Sequence, residues 1–285
     1  TSVKKIGTAS AQFDGTGDYL STPDSDDWDF GTDNFTWEAW VRLDDVSDTG
    51  LHAIISHGSS SSAYNNLIWS GATTGTERGW SWYQKNGSGG ELWNMWTLDQ
   101  GSYSNDTWYH VAIVRNGDVF TLYVDGVSKV SETHTDALVD FNTSLKIGSQ
   151  DGSARFWDGY MDEIRVSDSA RYTGTFTPST TAFTNDANTM LLLHCDGSDS
   201  GTTFTDSSTR PRHTITAVGN VANTRAQAKI GESSIYFDGT GDYLDVGNST
   251  DWDFGSGDFT LECWARASAL PDQPRLFGDS GGNWF

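Results

Sequence analysis

The sequence predicts an all-β sandwich of the jelly-roll type, and three observations predict it. Short runs of alternating apolar and polar residues recur along the 285 residues, and none keeps a 3.6-residue period. Turn-forming residues separate those runs at intervals of about ten positions, the spacing of short antiparallel strands. The third observation is a repeat. Lys5 to Arg42 returns without a gap 224 residues later as Lys229 to Arg266, with 23 of 38 positions identical. A repeat sets the unit of folding. A unit of 224 residues in a chain of 285 leads to the expectation that the chain is a window on a tandem array.

The elements follow in order. Phe13 to Leu20 reads FDGTGDYL and recurs as Phe237 to Leu244. Asp14 and Asp18 flank a glycine-rich turn. Its glycines suit positive φ, and its carboxylates suit either backbone amides or a hard cation such as calcium. Phe35 to Leu43 is the strongest strand. Phe35, Trp37, Ala39, Val41 and Leu43 fall on one face; Thr36, Glu38, Trp40 and Arg42 fall on the other. The second face is identical in the repeat, whereas the apolar face drifts to Phe259, Leu261, Cys263, Ala265 and Ala267. An apolar face repacks at roughly constant volume. A face with a carboxylate, an indole and a guanidinium needs particular partners, and a cross-strand Glu–Arg network under an indole is expected.

Trp108 to Arg115 and Val119 to Val124 are joined by Asn116-Gly117-Asp118, and Asp125-Gly126 precedes Val127 to Val130. Both are hairpin signals. Leu145 to Gly148 and Tyr160 to Val166 close the set, with Asp162 phased alongside Tyr160, Ile164 and Val166 on an inward face. Alternation fades from Ser167 to Asn188, and an apolar run then opens at Met190.

Composition excludes several functions. Seventeen Lys and Arg against 39 Asp and Glu give a formal charge of −22, with no basic patch to neutralise phosphates. No apolar run approaches the ~20 residues of a membrane span. The two cysteines, Cys195 and Cys263, form neither a disulfide framework nor a zinc motif. No pair of carboxylates is marked for glycoside hydrolysis. His110 reads as a satisfied core histidine.

FDGTGDYL, FTWEAWVRL, TWYHVAIVRNGDVFTLYVDG and GYMDEIRVS together resemble the laminin-G-like jelly roll of the concanavalin A-like lectin/glucanase superfamily. Ala170 to Pro178 (ARYTGTFTP) and Leu191 to Gly197 (LLLHCDG), followed by Thr202 to Ser207, resemble segments that flank such modules in bacteriophage virion proteins. Cys195 departs from that pattern, where phenylalanine is usual. The resemblance implies tandem modules: module 1 over 1–175 without its opening strand, a connector over 176–188, and the N-terminal part of module 2 over 189–285. Cut modules expose sheet edges. Either neighbouring sequence or another chain completes them, and a homo-oligomer is expected. The superfamily's glucanase run ExDxxE is missing, so no enzyme is expected.

The resemblance further implies a non-catalytic virion component (tail fibre, tail-associated or capsid-decorating), with cell-surface glycans or other virion subunits as partners. A secreted adhesin at the bacterial surface is the alternative. Trp80, Trp82, Trp93 and Trp96, with Asn94 and Asp99 as hydroxyl partners, are the candidate glycan platform; the competing reading is that these indoles fill the core. Asp14, Asp18, Asp158 and Asp162 are the candidate calcium ligands, and for Asp162 the competing reading is a cap on backbone donors.

Overall fold

The computed structural model describes residues 4–60, 62–72, 79–86, 91–209 and 213–224. The repeat copy at 229–266, with Cys263, lies outside them, and the described residues belong to one compact unit, Thr1–Ala226. Among the described residues, fifteen strands form two antiparallel sheets. In chain order they are β1 Ser10–Asp14, β2 Tyr19–Thr22, β3 Phe35–Leu43, β4 Leu51–Ser60, β5 Ala63–Ser70, β6 Gly79–Asn86, β7 Glu91–Trp96 and β8 Trp108–Asn116. Then come β9 Val119–Val124, β10 Val127–Thr133, β11 Leu145–Ile147, β12 Asp158–Ser167, β13 Thr189–Leu193, β14 Thr216–Val218 and β15 Ala222–Thr224. The first sheet runs β10-β9-β8-β3-β12-β1-β15, with β13 also on β12; the second runs β14-β2-β11-β4-β5-β6-β7.

Period-two patterning builds the core between the sheets. Phe35, Trp37, Ala39, Val41 and Leu43 of β3 meet Leu67 and Trp69 of β5 and Trp80 and Trp82 of β6 in one buried cluster. Trp37 and Trp82 meet edge to face at 5.1 Å, a favoured aromatic geometry. The hairpins form as their turn residues dictate. Asp125 and Gly126 both take positive φ between β9 and β10, and Gly117 does so between β8 and β9.

The polar face of β3 is buried too. Glu38 is fully buried and carries three hydrogen bonds, Arg165 Nε at 2.7 Å on Oε1 and His110 Nε2 at 3.1 Å and the Tyr172 hydroxyl at 2.8 Å on Oε2, with Arg165 Nη2 completing the ion pair at 2.6 Å from Oε1. The Glu–Arg network therefore exists, but its arginine comes from β12. Arg42 instead pairs with Asp44 and Asp106 and lies over the Tyr160 ring. Burial pushes the Glu38 carboxyl up; His110, Arg165 and Tyr172 outweigh it and hold it down at about 2.

What covers this face is the segment expected to be a connector. Tyr172 and Phe176 stack at 3.5 Å and pack with Ala112, Val114 and Tyr123. The Phe176 amide donates to Gly126 O at 3.0 Å, and a Cβ on Gly126 would collide with Phe176 O. Phe183 lies under the Arg165 guanidinium at 4.3 Å, and Arg171 grips Asp186 through both guanidinium nitrogens at 2.9 Å. Residues 170–188 are a strap across the outer face of the first sheet.

Residues 189–224, read from the sequence as the opening of a second module, enter the first sandwich instead. β13 pairs with β12, β15 with β1, and β14 with β2. His213 tilts against Trp28 at 4.5 Å and reaches Asp27 at 3.1 Å, while the Asn220 amide donates to Asp18. The sheets need strands beside β1 and β2, and this segment supplies them.

Replacing Glu38 leaves Arg165 buried without its charge partner. Glu38→Gln is expected to cost roughly 3–5 kcal/mol at pH 7, read from denaturant unfolding. Because the folded carboxyl is depressed, the wild-type advantage is present above the ordinary glutamate range and shrinks as pH falls towards about 2. A cost below 1 kcal/mol would contradict the network's role.

Candidate glycan-binding face and carboxylate clusters

Strand parity divides the aromatic segment. On β6 and β7, Trp80, Trp82, Trp93 and Met95 point inward. Trp80 and Trp82 have no exposed surface. Trp80 packs on Trp69 at 4.6 Å and on Tyr103 at 5.7 Å. The expectation that these two indoles stack on a sugar is corrected: each fills the sandwich and presents no face outside. Trp93, 7% exposed, closes one end of the core, stacked on His134 at 3.9 Å and against Phe120 at 4.5 Å. Asp99 is a strut. It accepts from the Tyr103 hydroxyl at 2.9 Å and from Thr97, and pairs with Lys129 at 3.1 Å.

Asn94 and Trp96 lie on the opposite, outer face of the second sheet. Trp96 joins Ala53, Tyr64, Ile68 and Tyr83 in a separate apolar cluster. Register aligns Ser56, Asn66, Tyr83 and Asn94 in one row across β4, β5, β6 and β7. Tyr64 and Tyr83 stack at 5.8 Å, with the Lys85 ammonium over both rings and the Arg155 guanidinium over Tyr64. Asn66 is fully buried, and neither its Oδ1 nor its Nδ2 has a hydrogen-bond partner. A buried amide without partners costs free energy; Asn66, Ser56 and Tyr64 have no exposed surface, so the row meets solvent only at its Tyr83–Asn94 end. Exposure rises toward the β7 edge, where Lys85, Asn86 and Asn94 are half-buried. Tyr64, Asn66 and Arg155 were not picked out from the sequence. The alternation Tyr64-Asn66-Ile68 was the available signal.

The four expected calcium ligands do not form one site. Asp14 accepts from Thr16 N at 2.8 Å, a local turn. Asp18 accepts from Asp14 N at 3.1 Å and from Asn220 N, so both its oxygens are engaged. Asp14 and Asp158 are register partners of β1 and β12. Burial raises the Asp158 carboxyl, with Asp48, Asp14 and Asp45 adding to the rise.

Asp162 lies four residues further along β12, about 13 Å from Asp158 at strand rise. Its Oδ2 accepts from the Lys5 and Ile6 amides, each at 2.9 Å, and its Oδ1 is buried without a partner. Its expected inward phase with Ile164 is also corrected. The register breaks between Asp162 and Arg165, with Glu163 at φ 49°. Asp162 therefore stands opposite Trp40 on the outer face, while Ile164 and Val166 turn into the core. Glu163, also fully buried, accepts from His194 Nδ1 at 2.8 Å and from Phe183 N at 2.7 Å.

Two antiparallel sheets in this order make a laminin-G-like sandwich. A family model described as the concanavalin A-like lectin/glucanases superfamily matches residues 14–175, and the chain belongs to that superfamily. No curated protein matches the chain. Among solved structures, it is similar to a candidate carbohydrate-binding protein from Bacteroides ovatus, with 19% identity and a TM-score of 0.57. That match covers 80% of this chain and 62% of the Bacteroides ovatus chain. The LG4-5 domains of mouse laminin alpha1 chain match at 14% identity and a TM-score of 0.40, over 61% of this chain and 48% of theirs. A Ruminococcus gnavus sialidase CBM40 domain bound to sialyllactose matches at 12% and 0.38, over 56% of this chain and 89% of its own. At these identities the likeness is one of fold.

Burial pushes the Asp162 carboxyl up to about 8, against the two amides that hold it down. A raised folded pKa favours the protonated form. Its stabilisation is complete below about pH 4 and is lost as pH rises through about 8. Asp162→Asn, which mimics the protonated group, is expected to flatten wild-type stability between those limits. Equal slopes in urea unfolding at pH 5 and pH 8.5 for both proteins would contradict the assignment.

Proposed function

We propose that this chain is a non-catalytic glycan-binding module of a bacteriophage virion protein, in a tail-fibre, tail-associated or capsid-decorating component. The observation that carries the glycan reading is the row Ser56-Asn66-Tyr83-Asn94 on the outer face of the second sheet. It combines aromatic rings, on which sugar C–H faces stack, with an amide whose donor and acceptor are both unused. Glycan enters from the β7 edge, past Lys85 and Asn94. The Bacteroides ovatus relative, itself named for carbohydrate binding, supports the same reading.

The virion setting rests on the resemblance of Ala170–Pro178 and Leu191–Gly197 to phage segments. A non-catalytic role agrees with carboxylates spent on structure: Glu38 on its three partners and Asp162 on two amides. Calcium belongs to the proposal at the Asp14–Asp158 edge, where Asp45 and Asp48 add negative charge. Virion subunits remain the alternative partners, in a homo-oligomeric assembly.

A glycan array, run with and without chelator, tests this. Binding is expected, and Tyr83→Ala and Trp96→Ala, checked for retained fold, are expected to weaken it at least about tenfold, or ~1.4 kcal/mol. Loss with chelator would tie recognition to calcium. A folded wild type that binds no glycan would overturn the glycan reading and leave assembly as the function.

A further inference from the structure

We infer that Asp24, His57 and Asp140 form a binding site for a divalent first-row transition-metal ion of the zinc class, at one end of the second sheet. A carboxylate oxygen from each aspartate and an imidazole nitrogen of His57 lie within 4.8 Å of one another. Among the described residues, no other group of three or more acidic, histidine or cysteine side chains converges in this way. The three come from separate elements. Asp24 follows β2, His57 sits near the end of β4, and Asp140 lies in the segment leading to β11. Those strands are neighbours in the sheet order β2-β11-β4, which brings their ends together.

The histidine supplies the independent observation. His57 is 1% exposed, and its Nε2 is 3.1 Å from Thr143 O. A carbonyl only accepts, so Nε2 carries the proton and the lone pair is left on Nδ1. Nδ1 is buried and has no hydrogen-bond partner. This is the arrangement of a ligating histidine: one nitrogen tied to a backbone carbonyl, fixing ring and tautomer, and the other free to bind.

Both aspartates are exposed. One oxygen of Asp140 accepts from Asn142 N at 2.9 Å, which orients the carboxylate and leaves the other oxygen open. One imidazole and two carboxylates suit zinc, cobalt, nickel or copper, whereas calcium prefers oxygen alone. Water would fill the open positions. The site is separate from the glycan row and from the Asp14–Asp158 edge, and a bound ion would staple the ends of β2, β4 and β11.

Titration of the chain with zinc chloride by calorimetry at pH 7.5, after chelator treatment and dialysis, tests the assignment. One equivalent is expected to bind and raise the melting temperature, and calcium chloride at the same concentration is expected not to displace it; calcium held at the Asp14–Asp158 edge is expected to be unaffected by substitutions at Asp24, His57 or Asp140. Asp24→Asn with Asp140→Asn, both exposed and tolerant of change, is expected to weaken zinc at least tenfold without altering the metal-free melting temperature. Cobalt absorption supplies a second readout: a visible band in the wild type that His57→Asn abolishes. No zinc binding by the wild type would overturn the proposal. So would undiminished binding by the double aspartate variant, or calcium binding lost with the same substitutions.

Discussion

The fold depends on one buried carboxylate. Glu38 sits at zero exposure on the outer face of the first sheet, and its three hydrogen bonds and its ion pair come from three elements: Arg165 on β12, His110 on β8 and Tyr172 in the strap. An unpaired charge there would be prohibitive, so β12 and β8 must flank β3 in register and the strap must cross above it. Such a group contributes less to net stability than to specificity, because an apolar face would also pack but would accept a slipped register. The identical Thr-x-Glu-x-Trp-x-Arg face in the repeat is the written form of that requirement.

A second constraint lies in β12. The register break at Asp162–Arg165, with Glu163 in the left-handed region, divides the strand into halves. The first half takes β1 and the second takes β13, so one strand gathers segments far apart in sequence. The same break turns Asp162 outward, where it caps the amides of Lys5 and Ile6. A carboxylate that looked like a metal ligand by alternation becomes an anchor for the chain's first described residues. The residues that receive the incoming segment, Asp18, Asp27 and Trp28, recur in the sequence as Asp242, Asp251 and Trp252.

Parity decided the aromatic segment. Trp80, Trp82 and Trp93 share one phase, and Tyr83, Asn94 and Trp96 the other, but phase alone does not say which side faces a second sheet. Only packing against β3 shows that the tryptophan phase is the interior. The site that remains is made of smaller signals, a tyrosine, two asparagines and a serine, aligned by register across four strands. The cluster of Asp24, His57 and Asp140 had no signal at all, because loop ends meet only when β2, β11 and β4 pair.

By itself, the sequence determined the architecture and the local chemistry. Period-two runs, the Asp125-Gly126 turn and the bounds of Phe35–Leu43 were legible because they depend on steric and solvation rules acting over a few residues. It also marked Glu38 as a residue with obligatory partners. Tertiary structure alone decided who those partners are, which face the tryptophans take, and where residues 189–224 belong. Those outcomes depend on contacts between segments a hundred or more residues apart, on a bulge that shifts phase, and on strand edges that must be paired. No local pattern records them.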